Sequence, residues 1–511
     1  MDQHQKARSY LSESILFLIF RGIIVGLLAG FVVSSFRLLI QVVYEKVLHL
    51  YELAHEQSIY LALIFGLYAL IALIVGKLLL SEPHIKGSGI PQVEAELKGF
   101  MHLNWWSVLW KKFVAGLLAI SSGMLLGREG PSIQLGAMVG KGVATKFGLA
   151  SFGEKTLIAS GSAAGIAAAF GAPIAGLLFV VEEVYHHFSR TVWITTLTAS
   201  LTADLVSKQF FGMAPVLDFA SHLARLPLEA YWLYLIMGLI FGLLAFGYEK
   251  VVLVVGDYYQ KLGKMLHIQP AYFSIVALIA IMPLSYFLPI LSGGGHEVIV
   301  TLPKLNLSFW VLLVWLVIRF VYCMISYGSG VPGGIFLPIL SLGALSGAAF
   351  GALAIQLGLI DSSMFSIFII AGMSAYFGAV SKAPLTAIVL VCEMVGNLSQ
   401  LMPLAFVTLV SYTVMDLLKG APVYEAMLEK MFANKEVDVS EKLMLLQWPV
   451  SDKIAGKQVR ELELPRQILI TNQVVNGKNE VVSGSSVLYL GNTIDIIIRE
   501  SDRHLAEKYL L

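Results

Sequence analysis

Four short segments interrupt long apolar runs in this chain: Gly87-Ser88-Gly89-Ile90-Pro91, Gly127-Arg128-Glu129-Gly130-Pro131, Gly333-Gly334-Ile335-Phe336-Leu337-Pro338 and Gly420-Ala421-Pro422-Val423-Tyr424. Each places glycine and proline where a helix begins or breaks. A helix N-terminus presents amide N–H groups without internal acceptors and the positive end of the helix dipole. Several converging ends therefore make an anion site without a full positive charge. Amides and hydroxyls hold a small anion loosely enough to release it, whereas a lysine in a low-dielectric cavity would hold it too tightly for turnover. Ser88 and Tyr424 would add O–H donors.

Glu129 carries the sharpest expectation. An ionisable side chain at a glycine-flanked break in apolar sequence is expensive to keep, which marks it as a functional candidate. As a carboxylate it can occupy an anion position and close a path; protonated, it is neutral and can swing away. The plain alternative is an ion pair with Arg128. Glu183 ends the apolar run Val180-Val181-Glu182-Glu183-Val184 and could instead be a solvated helix-end carboxylate. Glu182 is expected to be structural, and Glu94 to pair with a nearby lysine. His84, His186 and His187 lack metal-ligand spacing, so neither metal nor cofactor is implied. A hydrolase with Ser88 as nucleophile would need a base, and only His84 is close in sequence. Cys323 and Cys392 lie in apolar runs, which suits buried free thiols.

The elements that must position these residues are membrane helices. The chain has 511 residues, 57% hydrophobic and only 14% charged, against about a quarter charged in a typical soluble domain. That excludes an ordinary cytosolic enzyme, and a net charge of +1 gives no footprint for nucleic acid. Of the 69 charged side chains, 23 fall in the last 83 residues, which separates a membrane body from a soluble tail near residue 430. Residues 1–14 form a polar N-terminus with no signal-peptide pattern. Apolar stretches of spanning length, or nearly so, begin near Ile15, Tyr60, Val108, Leu157, Val192, Tyr231, Phe273, Phe309, Phe365 and Leu401. The glycine-studded regions 127–142 and 333–351 read as broken helices lining a cavity.

An internal repeat runs through the body. Gly127, Pro131, Gly136 and Gly140 recur as Gly334, Pro338, Gly343 and Gly347 at an offset of 207, and Gly161, Pro173 and Glu182 recur as Gly372, Pro384 and Glu393 at 211. Gly26 and Gly30 pair with Gly238 and Gly242. The halves cover about residues 15–220 and 230–430. Duplicated halves with interrupted helices at matching positions point to a transporter whose site lies at the repeat interface. An odd number of crossings per half would invert one half relative to the other.

Gly-Ser-Gly-Ile-Pro, Gly-Arg-Glu-Gly-Pro, Gly-Ile-Phe-x-Pro and the late tyrosine, in this order, resemble the four signature regions of the chloride channel and transporter (CLC) family over residues 15–430. The resemblance implies an all-α polytopic membrane fold of two inverted repeats with re-entrant helices, and a homodimer with one pore per subunit. It implies chloride held by the Ser88 hydroxyl, the amides of Ile335 and Phe336, and the Tyr424 hydroxyl. Glu129 becomes the outer gating and proton-transfer residue and Glu183 the inner one, which favours a proton/chloride antiporter over a passive voltage- or pH-gated channel. Ser88 and Tyr424 argue for chloride over nitrate or fluoride. Leu337 stands where alanine is more usual and is expected to alter packing only. The implied location is the plasma (inner) membrane, with both termini cytoplasmic.

Residues 431–511 change to short β-like runs at 443–447, 467–475, 480–482 and 493–499, with a turn at Asn476-Gly477-Lys478. This tail resembles the C-terminal subdomain of regulators of potassium conductance (TrkA-C type). That implies a small cytoplasmic α/β module that binds a small ligand or clamps a dimer. A ligand-regulated, potassium-linked transporter follows from the tail alone, and the chain has no Thr-Val-Gly-Tyr-Gly filter to support it.

Overall fold

Long apolar runs form the helices, several of which carry glycine inside them and one, Ser274–Phe287, an internal proline. The computed structural model describes residues 15–149, 151–184, 190–219, 224–305, 307–432, 443–465, 467–475, 478–499 and 502–510. The expectations for residues 1–14, for His186 and His187, and for the Asn476-Gly477 turn lie outside these residues. The chain divides into two units, Met1–Met431 and Phe432–Leu511.

The first unit is helical. One half runs α1 (Ile15–Glu56), α2 (Ile59–Ser81), α3 (Ile90–Lys98), α4 (Trp105–Ser121), α5 (Glu129–Phe147), α6 (Ser151–Phe170), α7 (Pro173–Phe179) and α8 (Arg190–Phe211). The other half repeats the series as α9 (Trp232–Leu266), α10 (Ser274–Phe287), α11 (His296–Thr301), α12 (Phe309–Gly328), α13 (Phe336–Gln356), α14 (Phe365–Ser381), α15 (Pro384–Val395) and α16 (Leu401–Leu417). A final helix, α17 (Val423–Phe432), carries Tyr424.

Among the described residues eight helical segments are long and apolar enough to cross a membrane. Helices α4, α6 and α8, expected as spans, are not among them; α4, for example, has only 17 residues. Helix α13 qualifies by composition, yet its apolar window is 83% buried, as befits a core helix screened from lipid.

The two halves are joined across a local dyad. Gly127 N–H donates to the Gly334 carbonyl and Gly334 N–H to the Gly127 carbonyl, both at 2.7 Å, as an antiparallel bridge between equivalent residues. The chain thus runs in opposite directions through the same position of the two repeats, which are inverted. The repeated glycines mark where helices touch backbone to backbone. A Cβ at Gly136 would strike the Gly161 carbonyl of α6, and one at Gly343 would meet the Gly372 carbonyl of α14 at 2.5 Å. Likewise Gly26 packs on Ala199 and Thr202 of α8, while Gly238 packs on Val407 and Val410 of α16. Small residues at helix crossings provide the dispersion contact that lipid cannot supply.

The second unit carries β1 (Leu443–Pro449), β2 (Leu469–Val475), β3 (Lys478–Val481), β4 (Thr493–Arg499) and α18 (Arg503–Leu510). The four strands form one antiparallel sheet ordered β1-β4-β2-β3. Ile494, Ile496 and Ile498 of β4 and Ala506 and Leu510 of α18 lie in its core.

Replacing Gly136 or Gly343 by valine should separate the crossing helices. Overpacking costs about 1–3 kcal/mol or more, so a clear fall in unfolding temperature in detergent is expected. The exposed Gly247, where an added Cβ would meet nothing within 4 Å, should accept alanine without loss.

Candidate functional site

Local sequence opens the helix ends at the centre of the first unit. Gly87 (φ 63°) and Gly89 (φ 94°) take the left-handed conformation that turns the chain into α3. Their repeat partners are Gly293 (φ 66°) and Gly295 (φ 117°), ahead of α11. This Gly293-Gly294-Gly295 segment is the counterpart of Gly87-Ser88-Gly89, and sequence reading missed it because glycine replaces the serine. The residues preceding α3, α5 and α13, Gly89, Arg128 and Ile335, make no side-chain capping bond. The first amide of α3 reaches only the Ser88 hydroxyl, at 3.4 Å, and the Leu337 amide of α13 faces Glu129.

The Gly127–Gly334 bridge sets the start of α5 against the start of α13. Glu129, the first residue of α5, is fully buried. Its carboxylate lies against Gly127 with the Leu337 amide of α13 beside it, but neither oxygen makes a hydrogen bond of ordinary geometry. Arg128 Nε is 3.9 Å from Oε1, which keeps the ion pair that was the structural alternative at its outer limit and is too long for a hydrogen bond. At the offset of 207 the equivalent of Glu129 is Phe336 and that of Arg128 is Ile335. One helix start thus offers a carboxylate, and the facing one offers bare amides between apolar side chains.

Ser88 and Tyr424 approach the same place. Ser88 is buried, and a Cβ at Gly130 would meet its Oγ at 2.6 Å, so only glycine lets α5 come this close. The Tyr424 hydroxyl is buried with no hydrogen-bond partner. Its ring meets Phe179 edge-on at 6.2 Å, and Phe179 in turn packs on Phe336, which also stacks with Phe170 and with Phe377 at 4.2 Å. This aromatic cluster, unnoticed in the sequence because its members read as ordinary core, holds Tyr424 and the start of α13 together. Ser88, Glu129, Ile335, Phe336 and Tyr424 are therefore neighbours or one side chain apart.

Glu183 sits apart, in a π-helical turn, Val180–Val184, that continues α7. It is buried, and Glu94, Glu182, Glu425 and Lys98 are the charges around it. Glu94 accepts from Lys98 at 2.6 Å, and Glu96 from Lys141 and the Leu103 amide. Glu182 accepts from the amides of Leu385 and Thr386 at the start of α15. Glu393 does the same for Ile174 and Ala175 at the start of α7. Each repeat caps the other's helix, which accounts for the repeated glutamate as structural.

Two buried cations escaped the sequence reading. Lys112 donates to the carbonyls of Ile85 and Gly87, and Arg319 to those of Leu291 and Gly293. They are equivalent at the same offset of 207, a signal that was available in the sequence. Each pins the turn that precedes a short helix. Cys323 and Cys392 are buried and free, His84 pairs with Glu82, and no metal-ligand cluster occurs among the described residues.

Residues 67–416 match the family model described as voltage gated chloride channel. The chain belongs to this chloride channel family. It is 34% identical to the H(+)/Cl(-) exchange transporter ClcA of Salmonella typhimurium over 83% of this chain and 91% of the relative. Identity and coverage are the same for ClcA of Klebsiella pneumoniae. The crystal structure of a slow cyanobacterial Cl-/H+ antiporter superposes with a TM-score of 0.74 at 28% identity, covering 82% of this chain and 98% of the other. A eukaryotic CLC transporter, at 20% identity and a TM-score of 0.67, covers 87% of this chain and 78% of its own, and shows the shared fold.

In this chloride channel family member the reciprocal caps predict a matched pair of effects. Glu182→Ala and Glu393→Ala should each lower stability by about 1–2 kcal/mol, as lost helix caps do. Thermal unfolding in detergent checks this, and a loss confined to one of the two would contradict the reciprocity.

Proposed function

We propose that this chain is a proton-coupled chloride transporter, exchanging chloride for protons across the plasma (inner) membrane. The observation that carries the reading is the fully buried Glu129 carboxylate, which lies against the Leu337 amide at the start of α13. It stands where an anion would be attracted by the helix end, about half an elementary charge in strength. Protonation removes its charge and lets chloride take the place, so proton and anion compete for one position. Chloride would then be held by the amides of Ile335 and Phe336 and by the hydroxyls of Ser88 and Tyr424. An orphaned buried hydroxyl such as that of Tyr424 costs about 1–3 kcal/mol, which a bound anion would recover. The chain would do no covalent chemistry.

Glu183 favours exchange over a passive channel. A buried carboxylate among other acids is suited to taking up a proton, and it would pass protons between the cytoplasm and Glu129. The names of the relatives support the same reading. We propose further that the protein is a homodimer, through the exposed apolar side chains Ile174, Leu201, Leu205, Leu385 and Leu401 on neighbouring helices of the two repeats. Both termini would be cytoplasmic, with the second unit a TrkA-C-like module for a small ligand or for clamping the dimer.

Flux from vesicles holding the purified protein, under opposed chloride and proton gradients, tests the central claim. A chloride gradient should drive protons uphill; chloride flux without proton movement would leave the channel standing. Glu129→Ala should abolish proton coupling and keep chloride flux. Glu183→Gln should stop proton flow while chloride movement persists, and retained coupling in either variant would remove that residue from the mechanism.

A further inference from the structure

Glu183 does not stand alone. Three acids act on its carboxyl, Glu94 of α3, Glu182 beside it and Glu425 of α17, and among the described residues Lys98 at the end of α3 is the cation that acts on it. Glu182 is already held by the amides of Leu385 and Thr386, so its charge is spent at the start of α15. Lys98 Nζ lies 2.6 Å from Glu94 Oε1 and 3.6 Å from Glu425 Oε1. One ammonium therefore serves two carboxylates from different helices. The side chains of Glu425 and Lys98 are 38% and 27% exposed, whereas that of Glu94 is 1% exposed and Glu183 is buried. The pair thus stands at the solvent edge of two buried acids. The Tyr424 hydroxyl, next to Glu425 in sequence, is a further titratable group on which Glu183 acts.

A partly exposed ion pair of this kind adds little to stability, so its placement beside Glu183 calls for another account. An opposite charge nearby favours a carboxylate, and a like charge favours the neutral acid. Taking away the cation or taking away the outer acid must therefore move Glu183 in opposite directions. We infer that Lys98 and Glu425 are positioning residues for proton uptake, which act through Glu183 by setting the charge at its solvent side. Glu425 makes the place attractive to an incoming proton. Lys98 offsets part of the field of Glu94 and Glu425 and so lets Glu183 give the proton up again. This role rests on Glu183 being the inner proton station of the antiporter. The same pair ties the end of α3, the helix that Ser88 precedes, to the first turn of α17, which carries Tyr424. Control of the proton is thereby built on the two helices that bring the chloride-binding hydroxyls.

Infrared spectroscopy of the full-length protein, titrated with acid, tests the pair without any transport. The C=O stretch of a protonated carboxyl that disappears in Glu183→Gln reports the protonation of Glu183. Lys98→Met should move its midpoint to higher pH and Glu425→Gln to lower pH, each by about half a unit or more, as a unit charge several Å away does at intermediate screening. Lys98→Arg keeps the charge and should leave the midpoint in place, which separates charge from packing. If Lys98→Met does not fold, Glu425→Gln, at the exposed end of the pair, carries the test. A midpoint unmoved in either folded variant, or moved the same way in both, overturns the proposal, as does the absence of a titrating Glu183 band. The pH dependence of coupled proton flux in vesicles should follow the same shifts. Chloride flux without protons would sink the antiporter reading, while the titration would still decide whether the pair sets the charge of Glu183.

Discussion

Every element of the site depends on a pair of peptide groups that face each other across a dyad. In the interior of a membrane protein an unpaired N–H or C=O costs several kcal/mol, so a broken helix survives only where its backbone finds partners. Gly127 and Gly334 are each other's partners. Glycine gives both the room for this approach, since a Cβ on Gly127 would displace the Glu129 carboxylate and one on Gly334 would lie 3.0 Å from the Gly130 nitrogen. Once that bridge closes, the starts of α5 and α13 must face each other, and their free amides have one space to point into.

The same economy governs the charges. Lys112 and Arg319 satisfy backbone carbonyls at the two glycine turns, and Glu182 and Glu393 satisfy backbone amides at two helix starts. For the fully buried Lys112 and Arg319 desolvation offsets much of the attraction. What they fix is geometry: where a turn sits and how two repeats meet. Glu129 and the Tyr424 hydroxyl are different, because their polar atoms have no such bonds.

Much of this was legible in the sequence because glycine and proline mark breaks regardless of context. The offset of 207, the helix starts and the four interrupted segments all follow from them. The strands of the second unit were legible too, from their alternation and turn residues. Lys112 and Arg319 were not, since a lysine beside Lys111 in a Trp-rich helix reads as a charge at a membrane edge. Gly293 to Gly295 hid because the serine of the motif is absent there. In each case the information lies in what the fold brings near, which no local pattern records. Helices α4, α6 and α8 show the converse: their apolar character reflects burial against other helices as much as contact with lipid.

The substitution of Phe336 for Glu129 across the dyad reaches beyond the site itself. A perfectly two-fold machine would present identical faces to both sides of a membrane and could not tell them apart. With a carboxylate in one repeat and an aromatic ring in the other, and with Ser88 opposite Gly294, the scaffold keeps its symmetry while the path acquires a polarity. Gene duplication supplies the matched helix ends, and divergence at these two pairs of positions turns them into a device with a front and a back.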